Sequence, residues 1–276
     1  MELPSKVAAD LPALPGLLKI IIIKQSATRS GVPHPLPDRD YLMDRAATAA
    51  RLAALLSLHN PAIALAFVDR PPKDIVQVAK PFPSACAFWR RAELGTFYAA
   101  AEQHYNCPIG SMVMGFDLPV AVSEQLSGLV QSMCDAHYLS MDEAAKIPNV
   151  GRKSVGIVYG PLREFPLDPD LVMIWVNTAQ AMLYSEAAGR AACTGAQMDI
   201  TGRPGCAALA RALHNNQPGM SLGCVGMRTF TEISDDLNLA VIPGSALAEF
   251  VDALERTVDS NATMRSYYSA RKAAIG

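Results

Sequence analysis

Four unbroken apolar runs constrain this chain more than any other feature. They read "AIALAFVD" (62–69), "KSVGIVYGPL" (153–162), "DLVMIWVN" (170–177) and "NLAVIPG" (238–244). Each is short and rich in β-branched or aromatic residues, and Gly, Pro, Asp or Asn closes it. Such runs fit strands buried inside a sheet. Between them lie stretches with helical spacing. Residues 41–58 place Leu42, Ala46, Ala49, Ala53 and Leu56 on one face, with Asp40 as a cap. Residues 85–94 suit a short helix with Gly95 as its C-cap, and 123–138 a longer one capped by Ser123. Helices are also expected after 177, at 205–215, and at 245–258 behind Ser245. Strands alternating with helices imply an α/β or α+β fold.

Three segments follow from this pattern. Residues 1–40 read as an N-terminal arm or linker, because "KQSATRSGVPHPLPDRD" (24–40) is dense in Pro, Ser and charge. Within it, "LLKIIII" (17–23) reads as a strand or as an arm packed on a neighbour. Residues 41–258 form a single globular unit of two similar halves, about 41–145 and 150–258. Residues 259–276 form a basic helical tail. An arm of this length is expected to wrap a partner in a homodimer.

The opening lacks the marks of a secretion signal. Glu2 occupies the place of a positive charge, and Pro12 and Pro15 break the apolar run. No stretch reaches the roughly 20 apolar residues that cross a bilayer, so no membrane association is expected. A formal charge of −2 offers no basic field for nucleic acid. The expected compartment is the cytoplasm, where the six cysteines stay reduced. No CxxC occurs among them, which leaves thioredoxin-like and zinc-ribbon chemistry without local support.

The cysteines instead form an internal echo. "CAFWRRA" at 86 matches "CAALARA" at 206 in Cys, Ala, Arg and Ala at equal offsets. The next cysteine in each case precedes a glycine within a few residues, as "CPIG" at 107 and "CVG" at 224. The separations are 21 and 18 residues. Similar "DLPVAVSEQL" (117–126) and "DLNLAVIPGSAL" (236–247) follow. This pattern suggests a tandem duplication of roughly 60–140 and 155–258. Two halves related by a pseudo-twofold would bring Cys86, Cys107, Cys206 and Cys224 to one interface. Cys134 and Cys193 fall outside the repeat and read as packing residues.

Four thiolates from two halves suit a 4Fe-4S cluster or a zinc ion. Glycine beside a ligand lets backbone N–H groups reach the sulfur, and Pro108 stiffens the turn. The long spacings differ from the close pairs of a zinc finger. Four buried thiols without any metal are the plain alternative, and spacing alone favours it.

The motifs carry a family likeness. "ACAFWRRAELGTFYAAAEQHYNCPIGSMVMGF" (85–116), "VYGPLREFPLDPDLVMIWVNTAQAMLY" (158–184) and "GCAALARALHNNQPGMSLGCVGMRTF" (205–230) resemble the domain-of-unknown-function family numbered 169. The resemblance covers roughly residues 50–258. It brings no established activity. It implies that Cys86, Cys107, Cys206, Cys224, Asn177, Gln180 and Arg228 match recurrent motifs, and it raises the metal reading against the plain one.

The expected function is therefore a 4Fe-4S enzyme acting on a small, carboxylate-bearing substrate. It would work as a lyase or hydratase through Lewis-acid chemistry, or as an oxidoreductase. Arg228 is expected to clamp the carboxylate. Asn177 and Gln180, just past a strand end, would bind substrate. His104, and Tyr159 as a weaker candidate, would move protons. The alternatives are a non-catalytic electron-transfer or sensor protein holding a cluster or another metal, and a cofactor-free small-molecule binder. No GxGxxG, P-loop or GxSxG supports a nucleotide site or a hydrolase.

Overall fold

In the computed structural model the described residues are 29–30, 39–80, 84–105, 107–191, 200–201 and 204–275. The expectation for 17–23 and the reading of Cys193 lie outside them. The apolar runs become β2 (Ile63–Val68), β5 (Gly156–Pro161), β6 (Leu171–Val176) and β9 (Asn238–Pro243). Shorter strands are β1 (Arg29–Ser30), β3 (Phe97–Ala100), β4 (Arg152–Lys153), β7 (Ile200–Thr201) and β8 (Gly219–Ser221). Seven of them form one sheet in the order β3-β5-β2-β6-β9-β8-β7, while β1 and β4 pair separately. Every pairing in the large sheet is antiparallel except β7 with β8. The chain is thus a mixed helix-and-strand fold, as the alternation implied.

The sheet is buried on both faces, which explains why its strands are apolar throughout. In β2, Ile63, Leu65 and Phe67 join one core, and Ala64, Ala66 and Val68 join the other. β6 divides in the same way, with Leu171, Met173 and Trp175 against Val172, Ile174 and Val176. Side chains alternate along a strand, so a run that is apolar at every position needs cover on both sides. One cover consists of α1 (Arg39–Leu56), α6 (Thr178–Arg190) and α9 (Leu247–Ile275). The opposite cover contains α2 (Ala87–Ala92), α3 (Pro108–Val113), α4 (Val120–Asp135), α7 (Gly205–Asn215) and α8 (Val225–Thr231). The short α5 (Met141–Lys146) follows α4.

The strand order reads alike outward from its centre. β2, β5 and β3 run one way, and β6, β9 and β8 run the other. β2 matches β5 over six residue pairs, Ile63 to Pro161 through Val68 to Gly156. β6 matches β9 over six, Leu171 to Pro243 through Val176 to Asn238. Both partner strands end in proline and pass into a 3₁₀ turn, Leu162–Glu164 or Gly244–Ala246. Only three pairs join β2 to β6: Ile63 to Met173, Ala64 to Val172 and Leu65 to Leu171. This symmetry is one of topology, and it does not by itself demonstrate a duplication.

Several helix ends differ from expectation. Asp40 falls inside the first turn of α1. α4 starts after Pro119, three residues before Ser123, which is buried within the helix. Pro119 is the N-cap of α4, a place where a proline is tolerated. Cys86 and Glu93 flank α2, so Gly95 is not its C-cap. Ser245 sits in a 3₁₀ turn and donates to the Asn216 side chain at 2.6 Å instead of capping α9. The tail is no separate element, because α9 runs unbroken for 29 residues. Its first three turns bury Phe250, Val251 and Leu254, and its last turns are exposed. Among the described residues no helix is long and apolar enough to cross a membrane.

Candidate functional site: four cysteines at helix N-termini around one cavity

Each cysteine of the echo stands at the start of a helix. Cys86 and Cys107 occupy the N-cap positions of α2 and α3. Cys206 is the second residue of α7, after Pro204, and Cys224 is the N-cap of α8. Cys107 Sγ accepts from the Gly110 N–H at 3.3 Å, and Cys224 Sγ accepts from the Met227 N–H at 3.3 Å. A sulfur here does what a serine or aspartate oxygen does at an ordinary N-cap. Pro108 takes the first helical position of α3, where no N–H is needed. A Cβ at Gly110 would lie 3.1 Å from both Cys107 Sγ and the Ala85 Cβ, a close fit that glycine relieves.

The four helices pack crosswise. α2 lies on α8, and α3 lies on α7. The Cys86 thiol, 2.7 Å from Ser84 Oγ, also points at the Gly226 carbonyl 3.8 Å away. As a result Cys86, Cys107, Cys206 and Cys224 all line one cavity of about 610 Å³. Its size falls within the range of small-molecule sites, roughly 300–1,000 Å³. α4 and the segment after it close the cavity with Leu129, Met133, Tyr138 and Leu139. Trp89, Met227 and Phe230 complete the apolar wall. Cys86 and Cys206 are buried, while Cys107 and Cys224 are half-buried.

Burial sets the protonation of these thiols. It pushes Cys86 up to about 12, against the pull of the Ser84 hydrogen bond, and nearby Cys107 and Cys224 add to the rise. It raises Cys206 well above the ordinary thiol value, with the other three cysteines contributing. Cys107 is also raised, by burial first. At neutral pH these three are thiols, not thiolates, until something replaces their protons.

The other residues singled out from the sequence do not join the wall. His104 is fully buried beneath it. His104 Nδ1 lies 2.8 Å from the Ala100 carbonyl and must donate to it, so Nε2 accepts from Tyr159 Oη at 3.0 Å. Burial lowers His104 to about 4, and the ring is neutral at pH 7. Both rings pack against Phe88, which fixes them in the core under α2. Asn177 and Gln180 lie across the sheet. They form a reciprocal capping box at the start of α6, with bonds of 2.8 and 2.9 Å. Gln180 Nε2 also donates to the Leu56 and Ser57 carbonyls at the end of α1. The strand-end rule belongs to parallel sheets, and β6 pairs antiparallel on both sides. Arg228 ties α8 to its flanking loops, donating to the Ser234 carbonyl at 3.1 Å and the Leu222 carbonyl at 2.7 Å. Cys134 packs at the core edge on α4, as expected.

The wall contains residues that the sequence did not single out. Ser84 and Trp89 flank Cys86, one of them a single helical turn away, and that spacing was a usable signal. Trp89 also carries a buried indole N–H without a hydrogen-bond partner. Tyr138 had no signal, because it reaches the cavity through the packing of α4.

No curated protein and no solved structure matches the chain. The model of one family, DUF169, matches residues 51–253, a span that contains all four wall cysteines and both outer strands of the β5-β2-β6-β9 core. With that match covering well over half its length, the chain belongs to the DUF169 family, described as "Uncharacterised ArCR".

Proposed function

We propose that the chain holds an iron–sulfur cluster of the cubane type on Cys86, Cys107, Cys206 and Cys224, and that it is an enzyme acting on a small molecule in the same cavity. One observation carries this reading: four cysteines from four separate helix starts line a single cavity. Packing needs a small residue at such positions, but it does not need the same thiol four times.

The donor set on the wall is four thiols, with no His, Asp or Glu among the described lining residues, which suits an iron–sulfur cluster. Among the described residues, no group of three or more His, Cys, Asp or Glu is placed to hold a metal ion as the side chains stand. Zinc would draw four sulfurs to about 2.3 Å around one point. A cubane carries an iron at each of four corners, so its thiolates stand further apart around a volume. Helix N-termini and N–H groups aimed at Cys107 and Cys224 sulfur offset the negative charge of such a group. When bound, the cluster would supply electron transfer or Lewis-acid chemistry. The chain's own residues hold it, exclude water through Trp89, Met227 and Leu139, and leave the rest of the cavity for a substrate.

A second reading has its own support. Raised thiol pKa values suit a cavity that binds a small molecule with no metal at all. Anaerobic purification separates the two. A brown protein with about four irons and matching sulfide per chain is the expected result. A colourless, iron-free protein from an iron-replete culture would leave the metal-free binder standing.

A further inference from the structure

We infer that the small molecule taken by this cavity is uncharged and mainly apolar, not a carboxylate. The inference rests on the cavity being the functional site, and its charge argument holds with or without iron. Its ground is the wall itself. No Lys, Arg, His, Asp or Glu is among the described residues lining the cavity. The polar groups there are the hydroxyls of Ser84, Ser132 and Tyr138, the indole of Trp89 and the four thiols. A carboxylate entering such a space loses its water and meets no cation among the described lining residues, a cost that a neutral molecule escapes.

Two basic residues close to the wall are engaged elsewhere. Arg228 is held by two loop carbonyls, and His104 is locked between Ala100 and Tyr159 beneath the wall. Thiolates or a cluster on the cysteines would add negative charge and disfavour an anion further. The entrance continues the same chemistry. Leu129, Val225 and Phe230 belong to the lining and are exposed to solvent at 43%, 66% and 40%. Apolar side chains held open at a cavity mouth mark a surface that meets apolar ligands. The volume admits one substituted ring or a short acyl chain with a neutral polar end, the size of small-molecule sites generally.

The test uses matched neutral and anionic probes on the full chain as purified, with iron measured in the same sample. Benzamide is compared with benzoate, and hexanamide with hexanoate, by titration calorimetry. The amides should bind at least about tenfold more tightly than their acids, since burying an unpaired carboxylate costs well over the equivalent free energy. Ala136 lines the cavity and is exposed, so Ala136→Trp narrows the mouth without disturbing the core. It should keep its melting temperature and lose amide binding. Acids that bind as tightly as amides, amides that fail to bind, or amide binding untouched in Ala136→Trp would each overturn the inference. The iron content, read separately, decides the cluster.

Discussion

At the scale of single residues, the protein separates groups that look reactive from groups that are merely buried. His104 and Tyr159 sit near the cysteines, yet each satisfies the other inside the core. Tyr159→Phe leaves His104 Nε2 buried and unpaired, and should destabilise the fold by about 1–3 kcal/mol in denaturant titrations. His104 also gives the fold a defined acid sensitivity. Its folded pKa, lowered by burial, is about 4, below the ordinary 6.5. Above 6.5 the ring is neutral in both states, and its contribution to stability is fully present. As pH falls from about 6.5 to about 4, the unfolded chain gains a proton that the folded chain refuses. Stability should then fall with a slope of up to about 1.4 kcal/mol per pH unit. His104→Gln should flatten that part of the stability–pH curve. The thiols work in the opposite direction. Because burial raises Cys86, Cys107 and Cys206, loading iron must displace their protons, and uptake by the iron-free protein should strengthen as pH rises from 6 to 8.

At the scale of elements, most strands and helices were legible in the sequence. Continuous apolar runs between Gly and Pro marked β2, β5, β6 and β9, because a doubly covered sheet leaves no polar face. The cysteine echo marked the four cysteines as a set, with α2 and α7 expected as helices and the segments after Cys107 and Cys224 read as turns. The short β3 and β8 and the helices α3, α5 and α8 were missed, since a few residues carry no readable period. Helix starts slipped where Ser123 and Ser245 looked like caps, while Pro119 and a 3₁₀ turn did the work. Arg228, Asn177 and Gln180 were read as ligands because polar residues in a motif look functional. Asn177 and Gln180 cap their own helix, Arg228 holds its own flanking loops, and only the Leu56 and Ser57 carbonyls reach Gln180 through tertiary structure. Gln180→Ala removes its bonds to Leu56 and Ser57 and half of the capping box, and should cost about 1–2 kcal/mol while leaving iron content unchanged. Gly244→Ala belongs to the same scale. Its Cβ would fall within contact distance of the Pro169 carbonyl, so it should destabilise the fold by about 1–3 kcal/mol, read by thermal unfolding.

At the scale of the whole molecule, the cavity exists because two similarly ordered groups of strands share one sheet. Each supplies two helix starts and two cysteines on the same cover layer. Substituting Cys86, Cys107, Cys206 or Cys224 by Ser, one at a time, should lower bound iron in every case. Cys134→Ser, on the edge of α4 and off the wall, should keep it. Equal iron in all five variants would move the metal elsewhere. The join between the groups is narrow, three residue pairs from β2 to β6 against six on either flank. A cofactor held, as proposed, by Cys86 and Cys107 from one group and by Cys206 and Cys224 from the other would act as a rivet across this central join. Removing it should loosen amide exchange first along Ile63–Leu65 and Leu171–Met173, with the outer strands following later. The cofactor would then couple the two groups of strands, and its loss would loosen the centre of the sheet without unfolding the chain.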